Sequence, residues 1–200
     1  MRTADYLALL DWRRRVADMY ADVRARLAGD AIEAHRKWRA CRDDLFRHHP
    51  QSALPSGERA RFEGLRYFAY DVAFAFAAKI RPLSEQRYDI PTGNGTMMRF
   101  VRFGAVDLPL GTLEVMWLDA YSGGVFLPFA DATSNITTYG GGRYLLDSAK
   151  GADLGARGEE LVLDFNFAYH PSCAYDSTWA CPLAPPVNKL AVAIEAGERL

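Results

Sequence analysis

The chain lacks the features that would assign it to several large classes of protein. None of its apolar stretches approaches the roughly twenty residues that a membrane-spanning helix requires, so we expect no membrane segment. The formal net charge at pH 7 is −1, which gives no reason to expect nucleic acid as a partner. In a reducing compartment, three cysteines favour free thiols or metal ligands over a disulfide framework. The opening MRTADYLALLDWRRR has no cleavage site for a signal peptide, so we expect a cytoplasmic protein.

The chain also lacks internal repeats and the alternation of strands and helices that builds a parallel sheet. Residues 1–50 instead predict a helical hairpin that packs on the rest of the protein. Apolar residues return at steps of three and four over residues 3–27, with Thr3 as the N-cap. A second helix is predicted from Asp30, because Asp30 and Glu33 have the spacing of a capping box, and it ends near Pro50.

Residues 63–200 predict an antiparallel β domain. Short apolar segments are separated by turn residues such as Gly104-Ala105, and Pro82 is predicted to stop the first strand. The predicted strands cover residues 72–80, 88–90, 97–103, 106–110, 113–118, 125–128, 143–147, 160–164 and 190–194. We therefore predict an α+β fold: a mainly antiparallel β barrel or sandwich-like domain with an N-terminal two-helix hairpin.

Glycine, proline, cysteine and aromatic residues are concentrated in residues 129–190, which makes this segment the candidate site. Gly140, Gly141 and Gly142 precede Arg143. Consecutive glycines let backbone N–H groups turn toward an anion, and an adjacent arginine can bind carboxylate or phosphate. The alternative is a tight turn where two backbones approach closely. On the predicted strand 160–164, Asp164 and then Asn166 would alternate with apolar residues and share a face.

The cysteines of this segment leave several interpretations open. His170, Cys173 and Cys181 offer three ligands for zinc, but no fourth is evident and we predict no metal site. Cys173 beside His170 could be a catalytic thiol, and Cys173 with Cys181 could form a disulfide if oxidised. The simplest alternative is that both cysteines pack under the proline-rich loop. We predict reduced, metal-free thiols.

Several motifs of the chain resemble the domain of unknown function 1684 family. They are GLRYFAYDVAF, FADATS, TYGGGRYL, LDFNFAYHPSCAY and CPLAPPVNKL. The resemblance spans roughly the whole chain beyond the first turns. It implies a β-rich domain of bacteria and archaea with no established activity and no catalytic residues to transfer. His170 departs from the pattern, since many relatives are expected to have asparagine there.

These observations favour a small-molecule site, binding or enzymatic, whose ligand is anionic. The proposed ligand-binding residues are Arg143, Asp131, Gly141, Gly142, Asn166, His170 and Cys173. One alternative is a noncatalytic structural or interaction module, and another is a flavin-binding β barrel. The sequence does not identify the reaction, the cofactor or the oligomeric state.

Overall fold

A computed structural model describes residues 2–200, and its first part is the predicted helical hairpin. The helices are α1 (Thr3–Leu27), α2 (Ala31–His48) and the short α3 (Ser56–Arg59). The Asp30 cap is confirmed, because its side chain accepts a hydrogen bond from the Glu33 N–H at 2.9 Å. The Thr3 cap is wrong, because Arg2 occupies that position and its N–H donates to Asp5 at 2.7 Å.

The apolar face of α1 is buried over only part of its length. Val16, Tyr20 and Val23 are buried, whereas Tyr6 is 60% exposed and Leu10 is 43% exposed. The first turns of α1 extend past the end of α2, where His49 contacts Asp11. No helix within residues 2–200 combines the length and the apolar character that crossing a lipid bilayer requires.

Within residues 2–200, ten strands form three antiparallel sheets. The strands are β1 (Arg66–Tyr67), β2 (Ala75–Lys79), β3 (Arg81–Pro91), β4 (Met97–Leu108), β5 (Gly111–Leu118), β6 (Val125–Phe129), β7 (Arg143–Asp147), β8 (Ala156–Arg157), β9 (Glu160–Asp164) and β10 (Glu198–Arg199). The largest sheet has the order β3-β4-β5-β6-β7, the second is β2-β9-β8, and the third pairs β1 with β10. The α+β, sandwich-like fold is confirmed. The sheets of the described residues stay open, so the barrel on which the flavin alternative depended is not formed.

Two strand boundaries differ from the prediction near residue 80. The expected strand 72–80 begins only at Ala75, because the Asp71 side chain accepts from the Ala73 N–H at 2.9 Å and holds residues 72–74 in a 3₁₀ turn. Pro82 does not end the strand pairing, since it lies in β3 at the edge of its sheet, where a missing N–H is tolerated.

Two further predictions about strands are wrong. Gly104 does not separate two strands, because β4 continues through it with a bulge, and a Cβ at Gly104 would lie 2.4 Å from Ile80. Residues 190–194 form no strand. Their backbone bonds instead to the Asp131 loop and to Arg143, as in the 3.0 Å hydrogen bond from Ala132 N to the Val192 carbonyl.

The helical hairpin and the β domain share one apolar core. Side chains of both helices pack with Ala152, Leu154, Val162 and Phe167. A second core lies between the five-stranded and three-stranded sheets, and a smaller cluster surrounds Phe100. Residues of the hairpin and of the segment after β7 together line a cavity that is described below.

Candidate functional site

The glycine-rich turn is closely packed against other parts of the chain. A Cβ at Gly142 would lie 2.5 Å from the Phe129 carbonyl oxygen, and Gly142 has a φ of +89°. A Cβ at Gly141 would lie 2.9 Å from Leu183, and the Gly141 carbonyl accepts from the Ala184 N–H at 3.0 Å. Both glycines thus lie where two parts of the chain approach closely, as expected for a tight turn.

Arg143 is 1% exposed, and its guanidinium forms hydrogen bonds with other parts of the chain. Its Nη2 donates to Asp131 Oδ2 at 2.7 Å and to the Ile194 carbonyl at 2.8 Å. Its Nη1 donates to the carbonyls of Ala196 and Glu198. Only Nε lacks a partner among residues 2–200. Arg143 thereby holds the C-terminal segment against the Asp131 loop.

Asp131 and Asn166 also use their polar atoms within the fold. Asp131 Oδ1 accepts from both the N–H and the hydroxyl of Thr133, at 2.7 and 2.5 Å. Asn166 lies in a 3₁₀ turn after β9 and exchanges hydrogen bonds with the backbone of Asp71 at 2.8 and 2.9 Å. The predicted strand alternation of Asp164 and Asn166 is therefore wrong, because β9 ends at Asp164.

His170 lies beside a buried carboxylate. Its backbone N–H donates to Glu198 at 3.0 Å, and its Nε2 accepts from the Tyr139 N–H at 3.2 Å. Burial, together with the charges of Arg143 and Arg42, lowers the pKa of His170 to about 3. The ring is therefore neutral near pH 7 with its proton on Nδ1, and its Nε2 lone pair is occupied.

Glu198 joins three segments that are distant in the sequence. It accepts from Arg42 Nη2 of α2 at 2.7 Å, from the His170 N–H, and from the Tyr175 hydroxyl. Burial raises the pKa of the Glu198 carboxyl, while the Arg42 guanidinium and the His170 N–H oppose that rise. This network thus links α2 of the hairpin to the β domain.

Cys173 and Cys181 are buried, and neither forms a disulfide. The neighbouring Cys181 thiol, together with burial, raises the pKa of Cys173. The Tyr139 hydroxyl lies 3.7 Å from Cys173 Sγ. Within residues 2–200, no three side chains of His, Cys, Asp or Glu are grouped to hold a metal ion. Cys173 thus packs beside the Tyr139 hydroxyl and against Gly93, where an added Cβ would lie 2.5 Å from the Cys173 Cβ.

We expect both of these thiols, and Cys41, to be reduced in protein purified under cytoplasm-like conditions. Thiol titration after unfolding should then find all three cysteines, because none is held in a disulfide. Recovery of one thiol, together with a peptide cross-linked between Cys173 and Cys181, would contradict this prediction.

A cavity lies between the hairpin and the β domain, and we call it the interface cavity. It measures about 80 Å³. Its lining includes Trp12, Val16, Tyr20, Arg42, Lys150, Tyr169, His170 and Ser172. A neighbouring surface trough of about 190 Å³ shares Trp12, Lys150 and Ser172 with it and also reaches Cys181. His170 is thus the one predicted site residue that lines the interface cavity.

Lys150 lines both of these spaces and also a third one. It ends a 3₁₀ turn after β7 and also lines a cavity of about 120 Å³ beside Phe100 and Phe126, which we call the apolar cavity. The Lys150 amine lies 3.6 Å from Asp147 Oδ2, and 56% of the side chain is exposed. Burial raises the pKa of Asp147, and the Lys150 charge opposes this rise.

Sequence reasoning missed the three charged residues around the interface cavity. Arg42 follows His35 and Trp38 at helical steps of three and four, so the periodicity of α2 contained a signal for its burial. Lys150 and Glu198 had no comparable signal, because each is a single charged residue in a short turn or near the C-terminus.

Comparisons with known proteins identify the family. The family model "Protein of unknown function (DUF1684)" matches residues 60–199. The chain belongs to this family. DUF1684 was the family expected from the motifs, although the match does not include the helical hairpin. No curated protein matches the chain.

A solved structure is similar to this DUF1684 member in both sequence and fold. It is the solution NMR structure of the uncharacterized protein from gene locus rrnAC0354 of Haloarcula marismortui. The identity is 34%, the TM-score is 0.56, and the match covers 81% of this chain and 90% of the other. Neither the family description nor the name of this neighbour states an activity.

Proposed function

We propose that the protein binds a small anionic molecule in the interface cavity and the adjoining trough. The supporting observation is that two cationic side chains, Arg42 and Lys150, line one aromatic cavity between the hairpin and the β domain. This proposal keeps the anionic ligand expected from the sequence. It places the ligand beside His170 and Ser172, and away from the glycine-rich turn.

Arg42 supports the proposal because its hydrogen-bonding capacity is only partly used. Its Nε donates to the Tyr67 hydroxyl at 3.0 Å and its Nη2 donates to Glu198 at 2.7 Å. Its Nη1 donates to no residue within 2–200, although the side chain is only 9% exposed and lines the cavity. A guanidinium N–H in a confined site forms a strong hydrogen bond with a carboxylate or phosphate oxygen.

Lys150 supplies the second charge at the more open side. Its amine is partly exposed and has one nearby carboxylate, that of Asp147. Aromatic rings that line the same cavity, among them those of Tyr20 and Tyr169, restrict the space that solvent can occupy. A confined site strengthens charge-assisted hydrogen bonds relative to open water. The cavity of about 80 Å³ admits several waters or a small anionic group, since one water needs roughly 10–15 Å³.

The test is a titration of wild type and Lys150→Ala with phosphate, acetate and benzoate at constant ionic strength. Calorimetry and thermal unfolding provide the two measurements. We expect each effective anion to raise the wild-type melting temperature, since a ligand at 100 times its Kd adds about 2.7 kcal/mol. Lys150→Ala should weaken binding about tenfold or more, because a charged hydrogen bond is lost.

Lys79→Ala is the matched control, since Lys79 is also an exposed lysine in an ion pair, with Glu159 at 2.8 Å on the second sheet. It should bind anions as the wild type does. An equal loss of binding in both variants would indicate general electrostatic attraction and not this cavity. The absence of any anion effect on wild type would favour the noncatalytic structural module.

A further inference from the structure

We propose that the ligand is amphipathic: a carboxylate whose head contacts Lys150 and whose short hydrocarbon tail enters the apolar cavity. This inference rests on the proposed function and specifies the class of ligand. It starts from the position of Lys150, which lines the interface cavity, the trough and the apolar cavity. A headgroup bound by Lys150 would therefore lie beside the apolar cavity.

The lining of the apolar cavity matches a hydrocarbon tail. Met98 and Phe100 of β4, Leu118 of β5 and Phe126 of β6 form its wall. The Phe100 and Phe126 rings stack with centroids 5.0 Å apart. Apart from Lys150, the charged residue in this lining is Asp147, at the same end of the cavity. Polar groups at one end and apolar side chains elsewhere favour a ligand with the same division.

The volume of the apolar cavity limits the length of the ligand tail, and the Asp147 carboxylate affects the binding of the ligand head. The apolar cavity measures about 120 Å³, which suits a short chain better than a long fatty acid. Asp147 lies 3.6 Å from the Lys150 amine, so a ligand carboxylate competes with it for that charge. Burial raises the pKa of Asp147 and so favours its neutral form when a second carboxylate approaches. Asp147→Asn should accordingly increase the affinity for carboxylates.

The test compares acetate, butanoate and hexanoate, with hexanol as the uncharged analogue. Calorimetry gives the affinities, and the methyl NMR signals of Met98 and Met97 report on position. We expect affinity to rise by about fourfold for each added methylene that is buried, and by at least about tenfold from acetate to hexanoate. Hexanol should bind more weakly than hexanoate. Hexanoate should shift the Met98 signal and leave Met97 unchanged.

Met98→Gln and Met97→Gln form a matched pair. The two methionines are adjacent in β4, but Met98 lines the cavity whereas Met97 is 56% exposed. Met98→Gln should remove most of the chain-length dependence while acetate binding persists, and Met97→Gln should behave as wild type. Chain-length independence in wild type, with Lys150-dependent acetate binding intact, would overturn this inference and leave the proposed function standing. No binding of any carboxylate or phosphate would overturn both.

Discussion

Replacing Arg143 by alanine should lower the free energy of unfolding by about 3–5 kcal/mol, one of the two largest effects expected from a single substitution here. The Arg143 guanidinium is the charged partner of Asp131, and both side chains are 1% exposed. Its removal leaves a buried carboxylate without its cation and leaves the carbonyls of Ile194 and Ala196 without their donor. Urea unfolding of wild type and Arg143→Ala measures the difference.

Arg143→Lys should recover little of this stability, because one ammonium cannot reproduce the two Nη groups that bind Asp131 and three backbone carbonyls. Arg81→Ala is the control, since Arg81 pairs with Asp107 on the exposed surface and should change stability far less. If Arg143 instead bound an external anion, Arg143→Ala would unfold like wild type and lose the stabilisation by phosphate or carboxylates. That pair of results would contradict the structural role.

The second large effect is expected at Trp38. Trp38→Ala should cost about 3–5 kcal/mol, because a large side chain that is 1% exposed would be replaced by a cavity. The Trp38 ring packs on Tyr67 of β1 and on Phe167, with centroids 5.5 and 5.3 Å away, so it holds α2 against the β domain. Chemical unfolding monitored by circular dichroism provides the measurement.

Trp38→Phe separates packing from hydrogen bonding. The Trp38 Nε1 has no hydrogen-bond partner among the described residues, so phenylalanine loses no bond and should cost much less than alanine. Trp117→Ala is a control at a tryptophan that is 44% exposed, and its cost should be about 1 kcal/mol or less. A change near zero for Trp38→Ala would show that Trp38 does not anchor the hairpin.

Local patterns determined much of the fold from the sequence alone. The helix prediction for residues 3–27 agrees with α1, since apolar spacing and helix ends depend on neighbours within one or two turns. The strands at residues 143–147 and 160–164 were also predicted with their observed bounds. The motifs were sufficient to indicate the DUF1684 family, which the family match confirms.

Predictions that depended on distant partners were less successful. Residues 190–194 have the apolar pattern of a strand, but the Arg143 side chain and the Asp131 loop take their backbone hydrogen bonds. Gly104 is a residue type that is common in turns, yet it lies at a bulge where β4 passes close to Ile80. In both cases a contact far along the chain outweighs the local preference.

The sequence by itself determined that this is an α+β member of DUF1684 whose unusual residues are concentrated between positions 129 and 190. Only the tertiary structure decided which charged side chains form ion pairs in the core and which line a cavity. The guanidinium of Arg143 pairs with Asp131 in the core, whereas Arg42 and Lys150, which are far apart in the sequence, line the same cavity. The physical reason is that a buried charge depends on its partners in space, and sequence spacing does not specify those partners.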